Sequence, residues 1–545
     1  MAGQGSFKKR LGLLDLTLLG LGSIIGSGWL FGAVKGAHYA GNLAWLAWVF
    51  GAVAVILIGL VYAELGAAMP RAGGFVRYPQ YTHGSLVGWL IGFASMLAYS
   101  SVAGVETDAF RSYAAGWWPG LETSSGEVTI LGILVQVALL VVFFLINYWS
   151  VAVFGKVNTI VTLFKFIVPL LIIVLLLTHM QPSNYSVGHA APGGIQGVME
   201  AVAGAGIVFS YLGFRQAIDF GAEASNPQRD IPLAIIFAVI IGAVLYLLLQ
   251  FAFIGAVPKE ALANGWAGIT TTTFKQPYVD IAKALGIFWL GNVVFADAVI
   301  SPSGTGNVYM AGTARVLFAW AKKGIFYSVF GKVNARTGIP RGALWLSLIL
   351  SIAWILPNWG AFKFSQWGVL INAVTSATVM TYMVGPVSQA ALRKSSPNMH
   401  RPFRLGGWQI FSPIAFIFAT WIIYWSGFTT DALLISMTLA SLILYFAFMD
   451  RDKEWHHKLK TEWKAGMWLI AYFIFIFVMT RIGSFGPTDA SGNVHPVIGS
   501  PWDTVIVAIG SIFLYYWGVN SALAKPQIDT DDDEEFVATM QAGEV

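Results

Sequence analysis

The sequence predicts an all-α polytopic membrane protein with fourteen transmembrane helices. Three observations point there. The 545 residues are 57% hydrophobic and only 11% charged, with a mean hydropathy of +0.68, whereas soluble domains carry about 25% charged residues. Fourteen apolar runs, most of them near or above the roughly 20 residues that cross a bilayer, follow one another between polar, proline or glycine punctuation. Two of those runs, the first and the sixth, are interrupted by glycine and serine in the middle of otherwise apolar sequence.

Taken in order, the runs cover 11–39, 43–69, 85–117, 128–149, 155–178, 196–221, 231–257, 287–321, 341–357, 366–392, 407–428, 431–449, 466–482 and 501–523. An even number places both ends on one side. With the N-terminus inside, the alternating loops hold 22 Lys and Arg on the inner side against 7 on the outer side. The positive-inside rule therefore predicts two cytoplasmic termini. Lys165, Arg215 and Arg315 are left near or within the membrane. Lys8, Lys9 and Arg10 precede a run too long for a signal peptide, and no small-residue cleavage site follows it. Basic residues are spread over loops, so the net charge of +5 reports topology and not nucleic-acid binding. No cysteine is present, which excludes disulfides, thiolate metal sites and a cysteine nucleophile. The run Asp529–Glu535 reads as a solvated acidic cytoplasmic tail. The longest loops, near 258–286 and 483–500, are too short to fold alone.

The first run contains Gly22-Ser23-Ile24-Ile25-Gly26-Ser27-Gly28. Three glycines and two serines weaken a helix where leucine or alanine would support it. Unwound backbone in hydrocarbon is tolerated only inside protein or beside a cavity. The stretch is therefore a helix break that offers backbone groups to a small polar ligand, or else a packing face of small residues. The sixth run repeats the pattern in Ala203-Gly204-Ala205-Gly206-Ile207-Val208-Phe209-Ser210-Tyr211-Leu212-Gly213, followed by Phe214, Arg215 and Asp219. Paired interruptions in corresponding positions of two halves point to a transporter built from inverted repeats. Helix N-terminal ends offer N–H groups and a positive dipole to a carboxylate. C-terminal ends offer carbonyls to an ammonium, so an amino acid matches both polarities.

At this point the residues resemble a known family. Ile25-Gly26-Ser27-Gly28-Trp29-Leu30-Phe31-Gly32 is similar to the I-G-S-G-I-F-G signature of the amino acid–polyamine–organocation (APC) permeases. Glu64-Leu65 with Pro70-Arg71-Ala72-Gly73-Gly74, the stretch Glu223-Ala224-Ser225-Asn226-Pro227-Gln228-Arg229-Asp230-Ile231-Pro232, and Arg315-Val316-Leu317-Phe318-Ala319-Trp320-Ala321 continue the resemblance in order. It covers roughly residues 10–395. The resemblance implies a LeuT-type fold, with segments 1–5 and 6–10 as a 5+5 inverted repeat and broken helices 1 and 6. The domains expected are then a transport core at 1–395, helices 11–14 at 396–524 and an acidic tail at 525–545. It implies that a substrate carboxylate meets N–H groups and the hydroxyl around Gly26, Ser27 and Gly28. The substrate amine would meet carbonyls around Ile24, Phe209, Ser210 and Leu212.

Lys165 lies within segment five, and an intramembrane lysine is a functional candidate by default. Relatives without sodium coupling place a segment-five lysine between segments one and eight, which implies Ser301 and Ser303 as its neighbours. Lys165 then either exchanges a proton or stays a fixed cation in place of sodium. The plainer alternative is a lysine that snorkels to the cytoplasmic surface. Arg215 departs from the glutamate found in many family members after this Gly-Phe pair. A guanidinium there binds a carboxylate side chain, pointing to aspartate or glutamate, or it pairs with Asp219 at i+4 or with Glu223. Glu106, Asp108 and Asp297 either relay protons or pair with Arg111 and face an outer vestibule. Tyr99 and Tyr211, with Phe209 and Trp289, are gate candidates among abundant aromatics.

The eight histidines show no metal-ligand spacing, so no metal is expected. No phosphate-loop pattern occurs, which argues against ATP drive, and no cofactor is expected. The predicted function is a secondary active amino acid transporter of the cell membrane, working by alternating access with protons as the coupling ion. An amino acid/amine exchanger is the first alternative. A transport-incompetent sensor is the second, and it would usually carry a soluble output domain. An enzyme would want a His/Asp/Glu cluster at membrane depth, which the sequence lacks.

Overall fold

The computed structural model describes residues 9–528, apart from 124–125, 150, 188–191, 270–273, 275, 323, 359–366, 450–454, 490 and 492. The acidic run Asp529–Glu535 lies outside the described residues.

The described chain is helical, and its only β-pairings are isolated bridges such as Leu11 with Ala224. The first apolar run forms α1 (Leu13–Ile24) and α2 (Gly28–Ala40), separated by Ile25, Gly26 and Ser27. Next come α3 (Ala44–Ala68), α4 (Gly74–Ala114), α5 (Ile130–Trp149) and α6 (Val151–Thr178). The sixth run forms α7 (Gly194–Gly204), a 3-10 turn over Phe209–Arg215 and the short α8 (Gln216–Asp219). Then follow α9 (Pro227–Ala256), the short α10 (Pro277–Ala284), α11 (Phe288–Lys322) and α12 (Arg341–Ile355). The chain ends with α13 (Trp367–Tyr382), α14 (Val384–Ser395), α15 (Trp408–Trp425), α16 (Phe428–Met449), α17 (Trp455–Ile482) and α18 (Trp502–Ser521). Among the described residues nine helices are long and apolar enough to cross a membrane. A tenth is counted when α7 and Phe209–Asp219, bent by 46°, are taken as one span. The architecture is that of a multi-pass, all-helical membrane protein.

Helix α6 shows how the sequence sorts its faces. Ile160, Leu163, Ile167, Leu170, Val174 and Leu177 recur at helical spacing and are exposed, Ile160 at 71%. Asn158, Thr162 and Lys165 share the opposite, buried face. A helix in water hides its apolar stripe; here the stripe faces out, as a lipid-facing surface does. Lys165 is thereby turned into the protein, with 0% exposure, which removes the snorkelling alternative.

Observed ends differ from the apolar runs where polar sequence stays helical. Helix α4 begins at Gly74, not near 85, and bends at Gly84, whose φ of 82° is open to glycine at little cost. The amide and hydroxyl of Ser85 beyond this kink donate to Glu462 on α17 at 2.8 and 3.0 Å. The run at 366–392 is divided at Met383 into α13 and α14. In the core α4 packs most extensively on α11, and α3 and α1 both pack on α9, so the two broken segments sit among long helices.

Candidate functional site: two facing helix breaks

The two interruptions meet backbone to backbone. A Cβ on Gly213 would strike the backbone of Ser23 and Ile24, so glycine is what lets the segments touch. A Cβ on Gly28 would run into the Ser210 hydroxyl, and one on Gly26 would stand 2.6 Å from Glu106 Oε1 and 2.8 Å from Thr305 Oγ1. These glycines leave room for polar side chains from three other elements.

The backbone groups freed by the breaks have partners. The Ser27 N–H, at the positive N-terminal end of α2, donates to Glu106 Oε2 at 2.9 Å, and the Ser27 hydroxyl lies against the same carboxylate. The Gly26 N–H donates to the Ile24 carbonyl at 2.9 Å. The carbonyls of Ile24 and Ser210 both accept from the Tyr246 hydroxyl of α9, at 2.6 and 3.4 Å. The Leu212 carbonyl accepts from Tyr382 at 2.8 Å. A carboxylate thus meets the α2 end and hydroxyl donors meet the carbonyls, all supplied by the chain itself. Glu106 is the one group here already weighed as chemically active. Tyr246 and Tyr382 carried no signal, each lying in an apolar run of a chain with nineteen tyrosines.

Lys165 reaches the first break from α6. Its Nζ donates to the Gly22 carbonyl at 2.5 Å and to Thr305 Oγ1 at 2.8 Å. Thr305 in turn donates to Gly22 at 2.9 Å and lies 3.3 Å from the Ile25 carbonyl. The lysine therefore does lie between segments one and eight, but its α11 partner is Thr305, not Ser301 or Ser303. Helical phase is the reason. Ser303 stands about 200° around the helix from Thr305, and its hydroxyl bonds its own Val299 carbonyl at 2.6 Å. Ser301 shares the Thr305 face one turn away and is buried without a hydrogen bond of ordinary geometry.

Arg215 belongs to a second layer. Its Nε bonds Asp219 Oδ2 at 3.1 Å, and Nη1 bonds Thr381 Oγ1 at 3.0 Å. Its guanidinium stacks 3.8 Å from the Tyr99 ring and 4.2 Å from Phe75, while the Tyr99 hydroxyl bonds Asp219 Oδ2. The pairing with Asp219 is the arrangement present. Nη2 alone has no hydrogen-bond partner. Glu223 is used elsewhere, against Arg315 at 2.5 Å.

The gate candidates are not brought together. Tyr99 sits in the Arg215 layer, whereas Tyr211 packs on Trp48 and Tyr246 beside the breaks. Trp289 is 54% exposed at the start of α11 and covers nothing in the site. Phe209 is buried at the start of the 3-10 turn. Asp108 pairs with Arg111 at 2.9 Å, and Arg111 also takes Glu122 at 2.6 Å. No cluster of three or more metal-type ligands exists among the described residues.

A multi-pass helical bundle whose core holds two glycine-rich helix breaks, a buried lysine and buried carboxylates is the framework of a membrane carrier. The comparisons with known proteins give the class its family. The model described as amino acid permease matches residues 11–478, and the chain belongs to that family, within the APC group. It is 43% identical to the aspartate-proton symporter of Bacillus subtilis (strain 168) over 97% of this chain and 100% of that protein. It is 38% identical to the glutamate/serine transporter AimA of the same organism, over 94% of each chain. Identity to the Bacillus subtilis branched-chain amino acid permease BcaP is 26%, over 82% of this chain and 94% of that protein. All three are named as transporters or permeases, and the chain is not an enzyme.

Proposed function

We propose that this protein is a proton-coupled symporter of acidic amino acids, aspartate or glutamate, working by alternating access in the cell membrane. The observation that carries the reading is the end-to-end 43% identity to a protein named an aspartate-proton symporter. The 38% identity to a glutamate/serine transporter supports the same substrate class.

The family's LeuT-type plan fits the chain's two breaks, which fall five apolar runs apart. Segments 1–5 and 6–10 are then inverted repeats within 1–395, segments 11–14 occupy 396–524, and 525–545 is a tail. The 22 inner against 7 outer Lys and Arg support fourteen crossings with both termini cytoplasmic. The substrate α-carboxylate is proposed to take the Gly26–Gly28 end of α2, where Glu106 now accepts from Ser27. The ammonium is proposed to take second lone pairs on the carbonyls of Ile24, Phe209, Ser210 and Leu212. A side-chain carboxylate would have Arg215 Nη2 to meet, the unpartnered nitrogen of that group. Lys165 is the proposed coupling group, since it binds the carbonyl of the break directly.

The test is uptake into proteoliposomes with imposed proton or sodium gradients, with and without amino acid inside. The expected result is concentrative aspartate uptake that follows the proton gradient and needs no internal substrate. Uptake only against internal amino acid or amine would establish the exchanger instead. Lys165→Ala and Lys165→Gln are expected to lose proton-driven uptake; wild-type proton dependence in both would remove Lys165 from coupling.

A further inference from the structure

The face of α11 that carries Thr305 continues outward through Ser301 to Asp297, at successive i, i+4 positions. Asp297 is fully buried, and neither of its carboxylate oxygens has a hydrogen-bond partner among the described residues. The Ser301 hydroxyl lies beside it without a hydrogen bond of ordinary geometry. A buried carboxylate without a partner is costly as an anion and is not explained by packing. Among the described residues facing this part of α11, no cation comes within ion-pair distance of it. From α4 come Glu106, which holds Ser27, and Tyr113. From α10 come Asp280, bonded to the Gln276 amide at 2.8 Å, and Lys283, set 5.7 Å from the Phe295 ring. From α6 comes Lys165. The charge of Asp297 acts on Tyr113 and on Lys165, and Lys165 feels Glu106 as well.

Thr305 stands eight positions beyond Asp297, about 12 Å along the axis. Ser301 lies between them, and Lys165 sits at the far end. Its two donations, to Gly22 and Thr305, account for both hydrogens of a neutral amine and leave its lone pair to accept. We propose that Asp297 is a proton-carrying residue of this transporter, loading from the outer side and passing its proton along the Ser301 face to Lys165. One O–H bond forms on Asp297 when an external proton arrives, and the carboxylate becomes a neutral acid. That bond breaks as the proton moves to Nζ, the carboxylate is restored, and the amine becomes an ammonium. The proton leaves Nζ to the cytoplasm when the carrier opens inward. The proposal rests on the proton-symport reading above.

Asp297→Asn holds the side chain neutral, as the loaded acid is, but it cannot exchange a proton. In proteoliposomes this variant is expected to lose accumulation of aspartate against its gradient and to lose the pH dependence of uptake. Counterflow of labelled aspartate between substrate-loaded faces should persist. Asp297→Glu should keep accumulation with a displaced pH profile. Accumulation by Asp297→Asn equal to wild type overturns the proposal. Loss of counterflow together with accumulation in both variants, with each present in the membrane at wild-type amount, also overturns it, because the role is then structural. A wild-type protein without proton dependence would refute the symport reading itself, a result distinct from both.

Discussion

Gly28 faces the Ser210 hydroxyl so closely that an added methyl would collide with it. Overpacking of this kind costs about 1–3 kcal/mol, and it falls where the two breaks meet. Gly28→Ala should therefore lower aspartate uptake by about tenfold or more while the protein still inserts. Ser210→Ala in the same chain removes the clashing oxygen and should restore part of the loss. Wild-type uptake by Gly28→Ala alone would show that the breaks do not hold substrate. Arg215 allows a sharper separation of roles. Its removal strands the fully buried Asp219, and breaking a buried pair costs about 3–5 kcal/mol. Arg215→Ala should melt earlier in detergent, and Asp219→Asn added to it should recover most of that stability. If Nη2 meets the substrate, the double variant still discriminates poorly between aspartate and a neutral amino acid. Recovered selectivity along with recovered stability would assign Arg215 to structure alone. Lys165 was legible in the sequence because a charge in an apolar run has few explanations. Its partner was not, since Ser301, Ser303 and Thr305 lie within five positions and only helical phase distinguishes them.

At the scale of elements, the breaks were legible because glycine and serine in the middle of apolar runs oppose a helix locally. The bend in α4 was not. Residues 74–84 are polar enough to pass for a loop, and what holds Gly84 in place comes from the far end of the chain. Glu462 accepts from the Ser85 amide and hydroxyl, and its other oxygen accepts from Gln527 at 2.6 Å. The amides of Leu523 and Gln527 donate to the carbonyls of Thr82 and Tyr81, each at 2.8 Å. The last helices thus clamp the bend of a helix packed along α11. Hydrogen bonds to a charged group contribute about 1.5–3 kcal/mol each. Glu462→Ala should accordingly lower the melting temperature in detergent, and Gln527→Ala should do so less. No change in either would mean that the bend is held by packing of α4 alone. The motif acids act as similar latches. Glu64 takes Arg393 at 2.6 and 2.7 Å, Gln389 at 3.0 Å and the Leu405 amide at 2.9 Å. Glu64 and Arg393 stand 329 positions apart, and no local pattern in either stretch announces the other.

For the whole molecule, hydropathy carried the membrane class and the helical content, because both follow from composition and run length. The run boundaries reported membrane depth, so they missed polar helix such as the first turns of α17. The chemistry assembles along a buried column. The α1–α2 break, with Glu106 on its N–H and Lys165 on its carbonyl, stands beside the Asp297–Ser301–Thr305 face, and the 3-10 turn that carries Arg215 touches the break at Gly213. On the proposed reading, amino acid and proton move together through this column. The most direct measurement uses liposomes that hold purified protein and a pH-sensitive dye, with no gradient imposed. Aspartate added outside should acidify the lumen as labelled aspartate enters, and a protonophore should abolish the pH signal while raising entry. Entry of labelled aspartate with no lumenal acidification would contradict the account.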